Sequence, residues 1–297
     1  MKRPFVISFL CLLGAFALLV WGFAPQPMQQ ATDEKRYVLL MESDTGTFVM
    51  QLRKGMQEAA ALQGAQLAVQ IVQPEQMEVQ AAALAEDAPA AVLLLLTDPQ
   101  PMMDRLADAK IPAIVVGQLL PGYACVASDD EKAGAELTAR ALALAEPTGV
   151  LWLSDESDAR ANARVQGAQK AFANQEFSVL PWQEGMAVPT EYSVVIASSS
   201  RVTRALADAK AEGILSGAGR VLGVDTGDSR VRDLERGWVS VMAMDSPYAM
   251  GYLAVEKCHL LADNPQAEGS HACEVTLIDS ENMYGSENVK MVFPLLQ

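Results

Sequence analysis

Short apolar runs alternate with longer stretches whose apolar positions recur every three or four residues. Tyr37 to Met41, Gln66 to Val72, Ala91 to Leu96 and Ala113 to Val116 read as strands. Between them, Thr47 to Gln63, Glu75 to Ala85 and Pro101 to Ala109 read as helices. Strands that are apolar throughout, with a helix between each pair, indicate a parallel sheet covered on both faces. A second series follows: helices over Glu131 to Leu144, Ala159 to Ala173 and Val202 to Glu212, with strands over Gly149 to Leu153, Ser193 to Ala197 and Arg220 to Val224. Two successive series imply two doubly wound α/β lobes rather than one wide sheet. Strands near Val239 to Met244 and Glu274 to Ile278, and a helix from Pro247 to Leu261, could complete either lobe.

Ahead of this pattern, Lys2 and Arg3 precede an uncharged apolar stretch from Phe5 to Ala24, and a polar linker runs on to residue 35. About twenty apolar residues behind a basic start describe either an export signal or a membrane anchor. In both cases the rest of the chain is expected outside the cytoplasm, secreted into the periplasm or tethered to the inner membrane. Gly22-Phe23-Ala24 has the small-x-small form of a cleavage site, but Pro25 follows it, so cleavage and retention both stay open. The formal net charge of −15 argues against nucleic acid as partner, which needs a basic patch.

Enzyme chemistry leaves little trace. The chain has two histidines, His259 and His271, no serine between paired glycines, no CxxC and no phosphate-cradling Gly-Lys-Ser loop. Gly217-Ala218-Gly219 follows a helix and precedes a strand, the reverse of a dinucleotide loop, and reads as a turn. No cofactor and no metal are implied. Cys258-His259 and His271-Ala272-Cys273 cluster in sequence, but neighbours on a helix point about 100° apart and do not easily share one ion. A disulfide between Cys258 and Cys273 is the simpler expectation, leaving Cys125 as a small buried thiol. Asp98, Asp129, Asp225 and Asp245 fall at or after strand ends, where α/β sheets bind ligands. Each also stands where a helix cap would, and for Asp98 and Asp129 capping is the favoured reading. Arg160 and Arg164 lie one turn apart on a single helix face, where pairing with Asp155 or Glu156 is the ordinary outcome.

Five stretches together resemble the type 1 periplasmic sugar-binding proteins, the ribose-binding-like group related to the ligand domains of lactose-repressor-type regulators. They are Thr47-Phe48 through Gly55, Ala59-Ala60 and Gly64; Ile111 to Ile114; Ala127-Ser128-Asp129 through Gly134; Arg164 through Gly167; and Gly223-Val224-Asp225 through Gly237, with Pro247 to Gly251. The resemblance implies two lobes, residues 36–126 with 246–275 and residues 127–245 with 276–297, joined by a three-crossing hinge. It implies a ligand gripped by Arg164 and Asp225, covered by Phe48, and flanked by Gly46 and Val49. Relatives that bind ribose carry Asp-Arg where this chain has Gly117-Gln118, and cleft Asn and Gln positions fall on Ser199 and Asp245. These departures point to another small polar, sugar-like ligand. A helix joining two strands in relatives is replaced by the short segment from Trp182 to Tyr192. By the same resemblance the protein is expected to be a monomer serving the membrane permease of an ABC importer, or else a membrane sensor.

Overall fold

The structure is a computed structural model that describes residues 35–145, 149–215, 219–225, 231–286 and 288–289. The apolar leader and most of the glycine turn at 217–219 lie outside the described residues. From Arg36 onward the chain lays down β1 (Arg36–Met41), α1 (Thr47–Leu62) and β2 (Gln66–Ile71). After a 3-10 turn at Pro74–Gln76 come α2 (Met77–Asp87), β3 (Ala91–Leu95), α3 (Gln100–Asp108), β4 (Ala113–Val116) and β5 (Cys125–Ser128).

The second run holds α4 (Asp130–Leu144), β6 (Val150–Ser154), α5 (Ala159–Ala171), β7 (Ser178–Pro181), β8 (Val194–Ala197), α6 (Ser200–Ala211) and β9 (Arg220–Asp225). It ends with α7 (Val231–Glu235) and β10 (Val241–Met244). Then α8 (Pro247–Asp263), β11 (His271–Cys273) and β12 (Thr276–Asp279) complete the fold.

These strands form two six-stranded sheets, one per lobe. The first has the order β11-β5-β4-β3-β1-β2 and is parallel throughout. The second has the order β12-β10-β9-β8-β6-β7, with β12 antiparallel to β10. Both are buried on both faces, as the continuous apolar strands require: Tyr37, Leu39 and Met41 enter one cluster, and Val38 and Leu40 the other. The chain passes between the sheets after β5, after β10 and after β11.

Each lobe carries one tightly fitted helix pair. In the first, α1 packs on α8, and a Cβ added at Gly55 or Gly251 would overlap the carbonyl of Tyr248 or Leu52. In the second, α4 packs on α5, and a Cβ at Gly134 or Gly167 would overlap the carbonyl of Arg164 or Glu131. These glycines let the helix backbones touch.

Three strands escape the sequence pattern. Both β5 and β11 are too short for an apolar run, and β7 is a sheet edge whose last residue is a proline. Among the described residues no helix lies between β7 and β8. The Cys258–Cys273 disulfide is not formed, and both are free, buried thiols. The Cys258 Sγ lies 3.9 Å from the Val92 carbonyl on β3, whereas Cys273 sits on β11, three strand spacings away. Three spacings are about 14 Å, beyond disulfide reach. Burial pushes the Cys258 thiol up, and the Cys273 thiol up to about 11.

Candidate functional site

A cavity of about 560 Å³ opens between the lobes at the carboxyl ends of the strands. The first lobe lines it with Glu42 and Ser43 after β1, Phe48 and Val49 from α1, Leu95 to Thr97 at the end of β3, and Val116 to Gln118 at the end of β4. The second lobe contributes Ser157 to Arg160, the loop after β6 and the first turn of α5. Gly117 turns the chain there with φ +87°, a conformation glycine reaches without a Cβ penalty.

Beside the cavity the hinge carries a network of buried and half-buried charges. Arg160 donates from Nε to Asp130 Oδ2 at 2.8 Å and from Nη2 to Asp245 Oδ2 at 2.7 Å. Arg164, one turn on, pairs with Asp130 Oδ1 at 2.6 Å and donates to the Ser198 carbonyl at 2.8 Å. Ser128 Oγ donates to Asp245 Oδ2 at 2.7 Å, and the Asp129 amide to the Cys273 carbonyl at 2.9 Å, so all three crossings are tied together at one level. Burial opposes the Arg160 charge, but Asp245 and Asp130 outweigh it and raise its pKa; Arg164 is lowered by burial and then by Arg160 beside it. The second Asp245 oxygen, Oδ1, has no hydrogen-bond partner among the described residues.

A second network stands at the ends of β6 and β8. Asp155 accepts from Arg201 Nη2 at 2.6 Å, Ser157 Oγ at 2.7 Å and Ser199 Oγ at 2.9 Å. Burial alone would raise this carboxyl; the three donors overcome it and lower it to about 2. Arg201 also lies over the Trp182 ring, 4.9 Å from its centroid.

The structure brings Phe48, Val49, Gly117 and Gln118 to one cavity wall. Gly46, Arg164, Ser199, Asp225 and Asp245 are not among the lining residues. Gly46 is an exposed turn residue with φ +99° ahead of α1. Arg164 is turned under α4 and committed to Asp130. Ser199 caps α6, accepting from the Val202 amide while its hydroxyl donates to Asp155. Asp225 is buried at the end of β9. Asp245 leaves the capping of α8 to Ser246 and joins the hinge network.

Among the other capping expectations, Asp129 caps α4 through the Lys132 amide at 3.0 Å. Asp98 caps nothing, because α3 starts at Gln100 behind Pro99. The arginine pair meets Asp130 and Asp245 rather than Asp155 or Glu156. Among the charged cavity residues, sequence reasoning passed over Glu42 and Asp158 and read Arg160 only as an ion-pair partner. The placement of Asp158 and Arg160 just after a strand end, at the start of a helix, is the signal that could have found them.

A model of the periplasmic binding protein domain matches residues 37–266. The chain belongs to this family. Its members are non-enzymatic solute binders, and this chain is not an enzyme. The family also makes it extracytoplasmic. Solved structures share the fold at low identity. An ABC transporter solute-binding protein from Agrobacterium vitis, bound with α-D-tagatopyranose, has a TM-score of 0.71 and 22% identity over 87% of this chain and 99% of its own. GanP, a glucose-galactose binding protein from Geobacillus stearothermophilus, has a TM-score of 0.69 and 19% identity over 84% and 99%. The XylFII–LytSN complex has a TM-score of 0.65 and 13% identity over 84% and 99%. A search of curated proteins finds no match.

Proposed function

We propose that this protein holds one small polar solute, of the carbohydrate or polyol class, in the cavity between its lobes and delivers it to an ABC-type importer. The observation that carries this reading is the cavity itself: about 560 Å³, sized for a small solute, walled by both lobes and joined to the hinge network through Arg160. A solute touching both walls favours the closed arrangement of the lobes, and only that arrangement engages the membrane partner. Phe48 covers an apolar face of the solute, while Arg160 and Asp158 meet its hydroxyls. Arg164, Ser199, Asp225 and Asp245 act from behind, fixing the orientation of the second-lobe wall. The similar structures with bound or named sugars support the carbohydrate class. The XylFII–LytSN complex and the apolar leader support a second reading, in which a tethered protein reports occupancy to a membrane sensor.

The test is a thermal-shift screen of the purified protein against sugars, polyols and small signalling molecules. A true ligand at a hundredfold excess over its dissociation constant adds about 2.7 kcal/mol of stability. Arg160→Ala is expected to erase that shift; a variant that responds like the parent contradicts the assignment. Co-purification of the closed protein with a permease or with a sensor kinase separates the two partners.

A further inference from the structure

The two walls of the cavity differ in chemistry. The first lobe presents Phe48, Val49, Leu95, Leu96 and Val116. Its polar groups are mostly bonded within the lobe, the Gln118 Oε1 oxygen being the exception. Glu42 accepts from the Thr97 amide through Oε1 and from Thr97 Oγ1 through Oε2. Gln118 Nε2 donates to the Leu96 carbonyl at 2.6 Å, and Ser43 Oγ is bonded to Thr45 Oγ1 at 2.9 Å. A solute hydroxyl turned toward this wall gives up water and finds few partners in exchange.

The second-lobe wall is the opposite. Arg160 spends Nε and Nη2 on Asp130 and Asp245, which leaves Nη1 without a bond among the described residues. Asp158 caps α5 through Oδ1 alone. A donor and an acceptor thus remain on one side. Charge narrows the choice further. Arg160 is balanced by two carboxylates, and the other ionic groups lining the cavity, Glu42 and Asp158, are both negative. An anionic solute would find no unbalanced cation in this wall and two carboxylates facing it.

Resting on the solute-binding reading above, we propose that the cavity selects an uncharged solute with one hydroxylated edge and one apolar edge, a deoxy sugar in preference to its fully hydroxylated parent or its sugar acid. The Arg160–Asp158 side takes the hydroxyls and the leucine–valine side takes the methyl group.

Two matched series test this by calorimetric titration of the full chain: D-fucose, D-galactose and D-galacturonate, then 6-deoxy-D-glucose, D-glucose and D-glucuronate. Within each series only the terminal carbon changes, from methyl to hydroxymethyl to carboxylate. In at least one series the deoxy sugar is expected to bind about tenfold or more tightly than the parent, with the acid weakest. Leu95→Asn places an amide on the apolar wall and is expected to shrink or reverse the methyl preference. If that variant does not fold, the ratios measured on the native chain decide alone. Equal or tighter binding of the parent or the acid overturns the inference and leaves carbohydrate binding standing. Failure of all six sugars to bind overturns this inference, and the broader screen of sugars and polyols then decides the carbohydrate reading separately.

Discussion

The two lobes share a topology and differ in what their strands end on. In the first, β3 and β4 run out through Leu95-Leu96 and Val116-Gly117 into an apolar wall. In the second, β6, β8, β9 and β10 run out into Asp155, Ser198-Ser199, Asp225 and Asp245, all buried. Among the described residues, every buried polar or charged side chain except Ser128 lies between Asp130 and Asp245. Burying such groups costs free energy unless each finds a partner. The scaffold does not need them, because the first lobe forms the same kind of sheet and the same glycine-fitted helix pair almost without them. None of them lines the cavity; Asp130, Asp245 and Asp155 instead hold Arg160 and Ser157 of its second-lobe wall.

The comparison breaks most visibly at the shared carboxylate. Asp130→Ala leaves the buried Arg164 and the half-buried Arg160 with Asp245 as their remaining close acid, and a loss of about 3–5 kcal/mol is expected in chemical denaturation. A loss below about 1 kcal/mol would mean that the second lobe does not depend on its charge network. The helix pairs supply the control. Gly55→Ala in one lobe and Gly134→Ala in the other each force a Cβ against a carbonyl, and each is expected to cost about 1–3 kcal/mol. A large difference between them would break the equivalence of the two scaffolds.

The smallest effect concerns acid. Asp155 has a folded pKa of about 2 against an ordinary 3.8, so its stabilisation is complete above about pH 4 and is lost as pH falls through 2. Solvent reaches Arg201, its main partner, which limits the contribution to about 1 kcal/mol. Asp155→Asn is expected to flatten the slope of stability against pH between 4 and 2, read by denaturation at several pH values. An unchanged slope would contradict the role given to this network.

The alternating elements were legible in the sequence because strands buried on both faces must be apolar at every position, and Val-Leu-Leu-Leu or Val-Val-Ile-Ala admit no other period. Cys125–Ser128 and His271–Cys273 were not, because a strand of three or four residues gains its identity from its neighbours. One wall of the cavity, Phe48, Val49, Gly117 and Gln118, followed from the family resemblance. The other did not. Arg160 and Arg164 share a helix face, and the sequence does not show which of them reaches the cleft. That is decided by α4, whose Gly134 rests against the Arg164 carbonyl and whose Asp130 draws Arg164 beneath it. Pairings thirty residues apart leave no local pattern to read.

The central claim is that the solute sits between the lobes, and Ala159 gives the most direct access to it. This residue lines the cavity at the start of α5 and is exposed, so Ala159→Trp fills the cleft with little strain on the fold. Calorimetric titration with whichever sugar stabilises the native protein is expected to show binding to the parent and none to the folded Ala159→Trp protein. Binding of equal strength by both would place the ligand elsewhere and contradict the account.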